Sequence, residues 1–187
     1  MRIGPRSSLA AVAVTVGDAL RRHGIQAVLT GGACASLYTR GSYQSRDMDF
    51  IVAGAVTQPG LDRAMASVGF HRSGDRYVHA QVVFYVEFPR GPLAIGDDYQ
   101  IVPVTRSTAA GRALVLSATD SCRDRLAAFY HWNDRQSLDV AVSIARRNRI
   151  DLARVRRWSA RERFTDRFIE FRAELARRQQ QGDPGIP

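Results

Sequence analysis

"SRDMDFIV" (residues 45–52) sets two aspartates one residue apart at the head of a run that turns wholly apolar. Side chains alternate along a strand, so in a strand here Asp47 and Asp49 share one face while Met48 and Phe50 share the other. Two carboxylates held side by side repel, and one is driven toward protonation unless a cation lies between them. Mg²⁺ suits such a pair, because it takes one or two carboxylates and fills its remaining positions with water and substrate phosphate oxygens. The stretch therefore predicts a strand buried on one face, whose other face is half of a metal site for phosphate chemistry.

Two neighbouring stretches extend this reading. In "VVFYVEFP" (82–89) the only acid is Glu87, on an otherwise apolar strand where an unpaired charge is costly. It is the expected third metal ligand, the competing role being an ion pair with an arginine. In "LTGGACASLY" (29–38), Gly31 and Gly32 permit close backbone approach at the start of a helix, where free amides donate to phosphate oxygens. Two other readings of the aspartates compete. One pairs them with the nearby Arg40 and Arg46. The other is the Asp-x-Asp of metal-dependent glycosyltransferases, whose domains are usually larger and lack a Gly-Gly helix start just upstream.

Strand, Gly-Gly, helix, then Ser-x-Asp-x-Asp-hydrophobic on the next strand resembles the nucleotidyltransferase superfamily, especially the minimal branch that includes the AbiEii-type toxins of toxin–antitoxin pairs. The motifs span residues 25 to 90, and the order of elements extends the likeness to about residue 150. The resemblance implies an α+β fold, a small mixed sheet flanked by helices with a helical C-terminal part closing over a nucleotide. It implies Asp47, Asp49 and Glu87 as metal ligands and catalytic residues, with Mg²⁺ or Mn²⁺ as the cofactor. Gly31, Gly32, Ser45 and Arg123 become the nucleotide-binding residues. The chain departs from the toxin pattern in two places: "YQ" (43–44) stands where those proteins carry an arginine, and the helix after the core offers only Arg123 or Arg125 where they use a lysine.

Composition narrows the chemistry further. The chain of 187 residues carries a formal charge of +9, and all 27 of its basic residues are arginine. Such a surface attracts polyanions, and guanidinium groups grip phosphate through paired hydrogen bonds. Without lysine there is no Schiff-base chemistry and no phosphate loop of the GxxxxGK[ST] type. Cys34 and Cys122 have no CxxC or Cys/His spacing and read as free buried thiols of a reducing compartment. His23, His71, His79 and His131 show no metal spacing, and His131 in "FYHWND" reads as a packing residue. The N-terminal apolar stretch is short and interrupted by Asp18, so an amphipathic helix and a cytoplasmic location are expected, with no membrane span.

The rest of the chain follows from periodicity. Helices are expected over residues 8–23 and 58–68, and strands over 25–30, 47–53, 76–88 and 112–117. From Thr119 onward the pattern is helical, with Leu126, Phe129 and Tyr130 on one apolar face and Phe164, Phe168, Phe171 and Leu175 on another. "SARE" (159–162) has capping-box spacing ahead of that last stripe. These features divide the chain into a core (1–117), a helical module (118–181) and a tail (182–187). The arginine-dense segment 145–164 reads either as an RNA-contacting surface, with an aromatic such as Trp158 able to stack on a base, or as a solvated helix face whose aromatics point inward, which the apolar stripe favours for Phe164.

The expectation is a Mg²⁺-dependent transferase moving a nucleoside monophosphate from an NTP to a hydroxyl, with RNA or tRNA the leading acceptor and an antitoxin protein a conceivable partner. The alternative is a protein of the same fold that binds nucleic acid or a protein partner without turnover.

Overall fold

A computed structural model describes residues 2–181 and shows a mixed α+β architecture. Helix α1 (Leu9–Arg22) is capped by Ser8, whose Oγ accepts from Ala11 N, and it stops at Gly24, whose φ of +73° suits glycine. Strand β1 (Ala27–Leu29) follows, then α2 (Gly31–Tyr38), β2 (Asp47–Val52) and α3 (Gln58–Ala66). A run of short strands comes next: β3 (Phe70–Ser73), β4 (Arg76–His79), β5 (Val82–Glu87), β6 (Val104–Thr108) and β7 (Gly111–Val115). Helices α4 (Ala118–Trp132), α5 (Arg135–Arg147), α6 (Leu152–Arg161) and α7 (Thr165–Gln180) complete the described chain.

The strands form one mixed sheet in the order β3-β4-β5-β2-β1-β7-β6. β2 is central. It runs antiparallel to β1, with Leu29 opposite Phe50, and parallel to β5, with Asp49 opposite Glu87. The core face of β2 carries Met48 and Phe50, both fully buried, as the alternation of the sequence requires. α1 lies against β7 so tightly that a β-carbon on Gly17 would stand 2.5 Å from the Ala113 β-carbon, so only glycine fits there.

The helical module is held by side-chain caps at three of its four helix starts: Ser117, Asp134 and Asp151 each accept from a first-turn amide. Phe168, Phe171 and Leu175 are buried as the stripe predicts. The capping box at 159–162 is not formed. Ser159 is buried inside α6, where its hydroxyl donates to Val155 O at 2.9 Å and meets the Tyr130 hydroxyl, and α7 starts only after Phe164. A serine returned onto its own helix is satisfied without starting a new one.

Two strands lack the expected pattern. β3 buries only Phe70, and β6 is exposed along its whole length. Both lie at the sheet edges and are held by backbone pairing to one neighbour, which needs no apolar alternation. Among the described residues no helix is long and apolar enough to cross a membrane. The segment 182–187, expected as a tail, lies outside the described residues.

Candidate active site

Asp47 and Asp49 lie at the start of β2 on the face opposite Met48 and Phe50, and both are partly exposed. Parallel pairing puts Glu87 of β5 beside Asp49 and Tyr85 beside Asp47. Neighbouring strands are about 4.8 Å apart, so the three carboxylates predicted from the sequence share one small patch of sheet. No ion pair joins any of them to an arginine among the described residues, which sets aside pairing with Arg40 or Arg46.

This crowding shows in the acidity of Asp49. Burial pushes its carboxyl up to about 6, and the negative charges of Asp47, Glu87 and Asp124 add to the effect, while Arg125 opposes it. A patch that makes a carboxylate this hard to ionise gains from a cation. Among the described residues no three His, Cys, Asp or Glu side chains close around one point as a ready cage. An ion such as Mg²⁺, which keeps waters and takes phosphate oxygens, needs no such cage, and the all-oxygen donor set fits it.

α2 begins directly over this patch. Thr30 N donates to Asp49 O at 2.9 Å, which ties the helix start to the strand. Gly31 follows with φ +63°, and a β-carbon there would stand 2.6 Å from Asp49 Oδ2. At Gly32 a β-carbon would meet Ser45 Oγ at 2.8 Å and the Tyr43 hydroxyl at 2.9 Å. The glycines therefore bring bare backbone against the carboxylates, and no side chain caps the first turn of α2. Ser45 donates its hydroxyl hydrogen bond to Asp47 Oδ1, so its own contact is with a candidate metal ligand.

The fourth nucleotide-binding candidate is displaced. Arg123 is fully buried, donates to Asp120 at 2.8 Å and to Asp98 at 2.5 Å, and lies 5.0 Å over the Trp158 ring. It has no surface left for a ligand. Two residues further on, on the other side of α4, Arg125 pairs with Asp124 at 2.7 Å, and both residues act on the charge of Asp49. Burial works against the Arg125 charge, but Asp124 outweighs it and raises the guanidinium's pKa, with Tyr43 and Asp134 contributing. Asp134 itself caps α5 through Ser137 N at 3.2 Å.

Sequence reasoning missed Tyr85, which faces the carboxylates and carries the Arg76 guanidinium 4.8 Å over its ring. The signal was its spacing of two from Glu87 on the same strand. The aromatics proposed to stack on RNA point inward. Trp158 is fully buried, donates to Ile95 O and stacks on Tyr130 at 5.5 Å, and Phe164 stacks on Tyr130 at 5.0 Å. His131 packs edge-on against Phe164 at 4.9 Å, in keeping with a packing role.

No family model matches the chain, and no curated protein matches it.

Proposed function

We propose that the protein is a divalent-metal-dependent nucleotidyltransferase, which moves a nucleoside monophosphate from an NTP to a hydroxyl and releases pyrophosphate. The observation that carries this reading is the register of Asp49 against Glu87, which places the carboxylates of β2 and β5 on one face beneath the glycine start of α2.

In this reading Asp47, Asp49 and Glu87 hold Mg²⁺ or Mn²⁺. The ion supplies charge that stabilises the triphosphate and the attacking oxygen. The chain's own groups do the rest. The backbone at Gly31 and Gly32 lets phosphate oxygens approach the uncapped amides of α2. Arg125 places a permanent positive charge beside the carboxylates, available to the polyphosphate as negative charge builds on the leaving pyrophosphate. Ser45 fixes the orientation of Asp47. The acceptor oxygen forms a bond to the α-phosphorus, the bond from that phosphorus to the bridging oxygen breaks, and the hydroxyl proton passes to Glu87.

RNA is the proposed acceptor, supported by the formal charge of +9 carried entirely by arginine. The test is incubation of purified protein with Mg²⁺, each α-labelled NTP in turn and total cellular RNA, beside an Asp49→Ala control. Label entering RNA with wild type alone supports the reading and names the nucleotide. NTP and metal binding that depends on Asp47 and Asp49 without transfer to RNA moves the acceptor to another class. Loss of nothing on Asp49→Ala overturns the assignment of the site.

A further inference from the structure

Strands β1 and β7 are paired at only two positions, Val28 with Leu114 and Leu29 with Val115. One step earlier, where a parallel ladder would continue, the Arg112 amide turns to α1 and donates to Asp18 Oδ1 at 3.1 Å. The Gln26 carbonyl is engaged on the opposite side, by Ala53 N at 2.8 Å. The two chains part here, and a cleft of about 440 Å³ lies between them and α1. Gly17, Ile25, Ala27 and Leu114 give it apolar walls, and Arg21 and Arg112, both exposed, give it charge. Ala27 is opposite Val52, at the end of β2 away from Asp47, so the cleft is separate from the carboxylate patch.

We propose that this cleft is a binding site for a small organic monoanion with an apolar body, of the class of medium-chain or aromatic carboxylates. The inference does not depend on the transferase reading. Three features select this class. The volume and the apolar walls suit the body of a small molecule. The Arg112 guanidinium has no ion pair among the described residues, and beside apolar walls it rewards a carboxylate that takes two parallel hydrogen bonds. Arg21 is already committed to Asp18 at 3.0 Å, and the Asp18 carboxylate repels further negative charge, which selects one charge over a polyphosphate. No aromatic ring lines the cleft to reward a nucleobase. The strand that borders it, β1, leads directly into Thr30, whose amide donates to Asp49 O at 2.9 Å, so an occupant sits one short strand from the carboxylates.

The arginines of α6 line the competing cleft, together with Asp97 and Asp98. Arg154 is held there by Asp120 at 3.0 Å and Arg161 lies 3.6 Å from Asp98, which leaves Arg157 as the exposed charge of that group.

The test titrates the protein with anilinonaphthalene sulfonate, read by fluorescence, and displaces the probe with decanoate or with decanol. Wild type is expected to bind about one equivalent saturably, to release it to decanoate and to retain it against decanol at the same concentration. Arg112→Gln is expected to weaken binding about tenfold, and Arg112→Lys to restore most of it. Thr105→Trp, at an exposed position of β6 that lines the cleft, is expected to obstruct it. Urea midpoints equal to wild type show that these variants fold. Binding unchanged by Arg112→Gln and Thr105→Trp overturns the proposal, as does the absence of saturable binding or a loss confined to Arg157→Gln. Displacement by ATP with Mn²⁺ would overturn it by placing the probe at the carboxylate patch, and displacement by decanol equal to that by decanoate would overturn the selection for charge.

Discussion

Gly31 stands so close to Asp49 that a β-carbon on it would lie 2.6 Å from the carboxylate oxygen Oδ2. An aspartate with backbone pressed this close to it tolerates no side chain at that point, and the φ of +63° disfavours one independently.

Gly31→Ala therefore loses on two counts, and a second glycine separates them. Gly24 also has positive φ, at +73°, but a β-carbon there meets nothing within 4 Å. Both alanine variants are expected to lose about 1 kcal/mol in urea unfolding from backbone strain. Only Gly31→Ala is expected to lose Mn²⁺-dependent nucleotide binding as well, read by calorimetry. Equal binding by the two variants would mean that Asp49 is not the residue the metal needs.

The acidity of Asp49 gives a prediction with a definite sign. Its folded carboxyl is raised to about 6 from an ordinary 3.8, so the folded state holds its proton more tightly than the unfolded state. The resulting stability is full below about pH 4 and is lost as pH rises through about 6. Asp49→Asn removes this dependence. In EDTA at pH 8 the variant should be more stable than wild type by about 1–2 kcal/mol, a value reduced from the full shift because the group is partly exposed. The difference should vanish by about pH 4 in paired denaturation curves. Adding Mn²⁺ at pH 8 should stabilise wild type and not the variant.

How much of this was legible in the sequence depends on the kind of constraint. The Asp47–Asp49 face and Glu87 were readable because a period of two exposes a charge in a buried strand, and the two strands pair in the register that joins them. β3 and β6 were not, because an edge strand is held by backbone hydrogen bonds that leave no mark on composition. Choosing Arg123 over Arg125 failed for a related reason. α4 buries Asp120, Ser121 and Arg123 along with Leu126 and Phe129, so apolarity does not report which of its faces meets the core. Trp158 was offered to RNA because it sits among arginines in sequence, yet its indole N–H is used up on Ile95 O.

The buried and the facing arginine separate stability from function. Arg123 neutralises Asp120, which is itself fully buried, and it joins α4 to the loop carrying Asp98. Arg123→Met takes one of two arginines from the Asp120 carboxylate, which keeps Arg154 at 3.0 Å and the Ser117 hydroxyl at 2.7 Å, so the loss falls at the low end of the range of about 3–5 kcal/mol that breaking a buried pair from one side costs. The expected result is a large drop in unfolding free energy, with ATP binding retained in whatever fraction stays folded. Arg125→Gln touches a side chain that is 17% exposed and leaves Asp124 access to water at 22%. Its stability loss should be smaller, about 1–2 kcal/mol, while ATP affinity falls at least tenfold because the charge beside the carboxylates is gone. Denaturation and ATP titration of the two variants read this contrast directly. ATP affinity that falls with Arg123→Met in fully folded protein and holds with Arg125→Gln would reverse the assignment and place Arg123 at the phosphates after all.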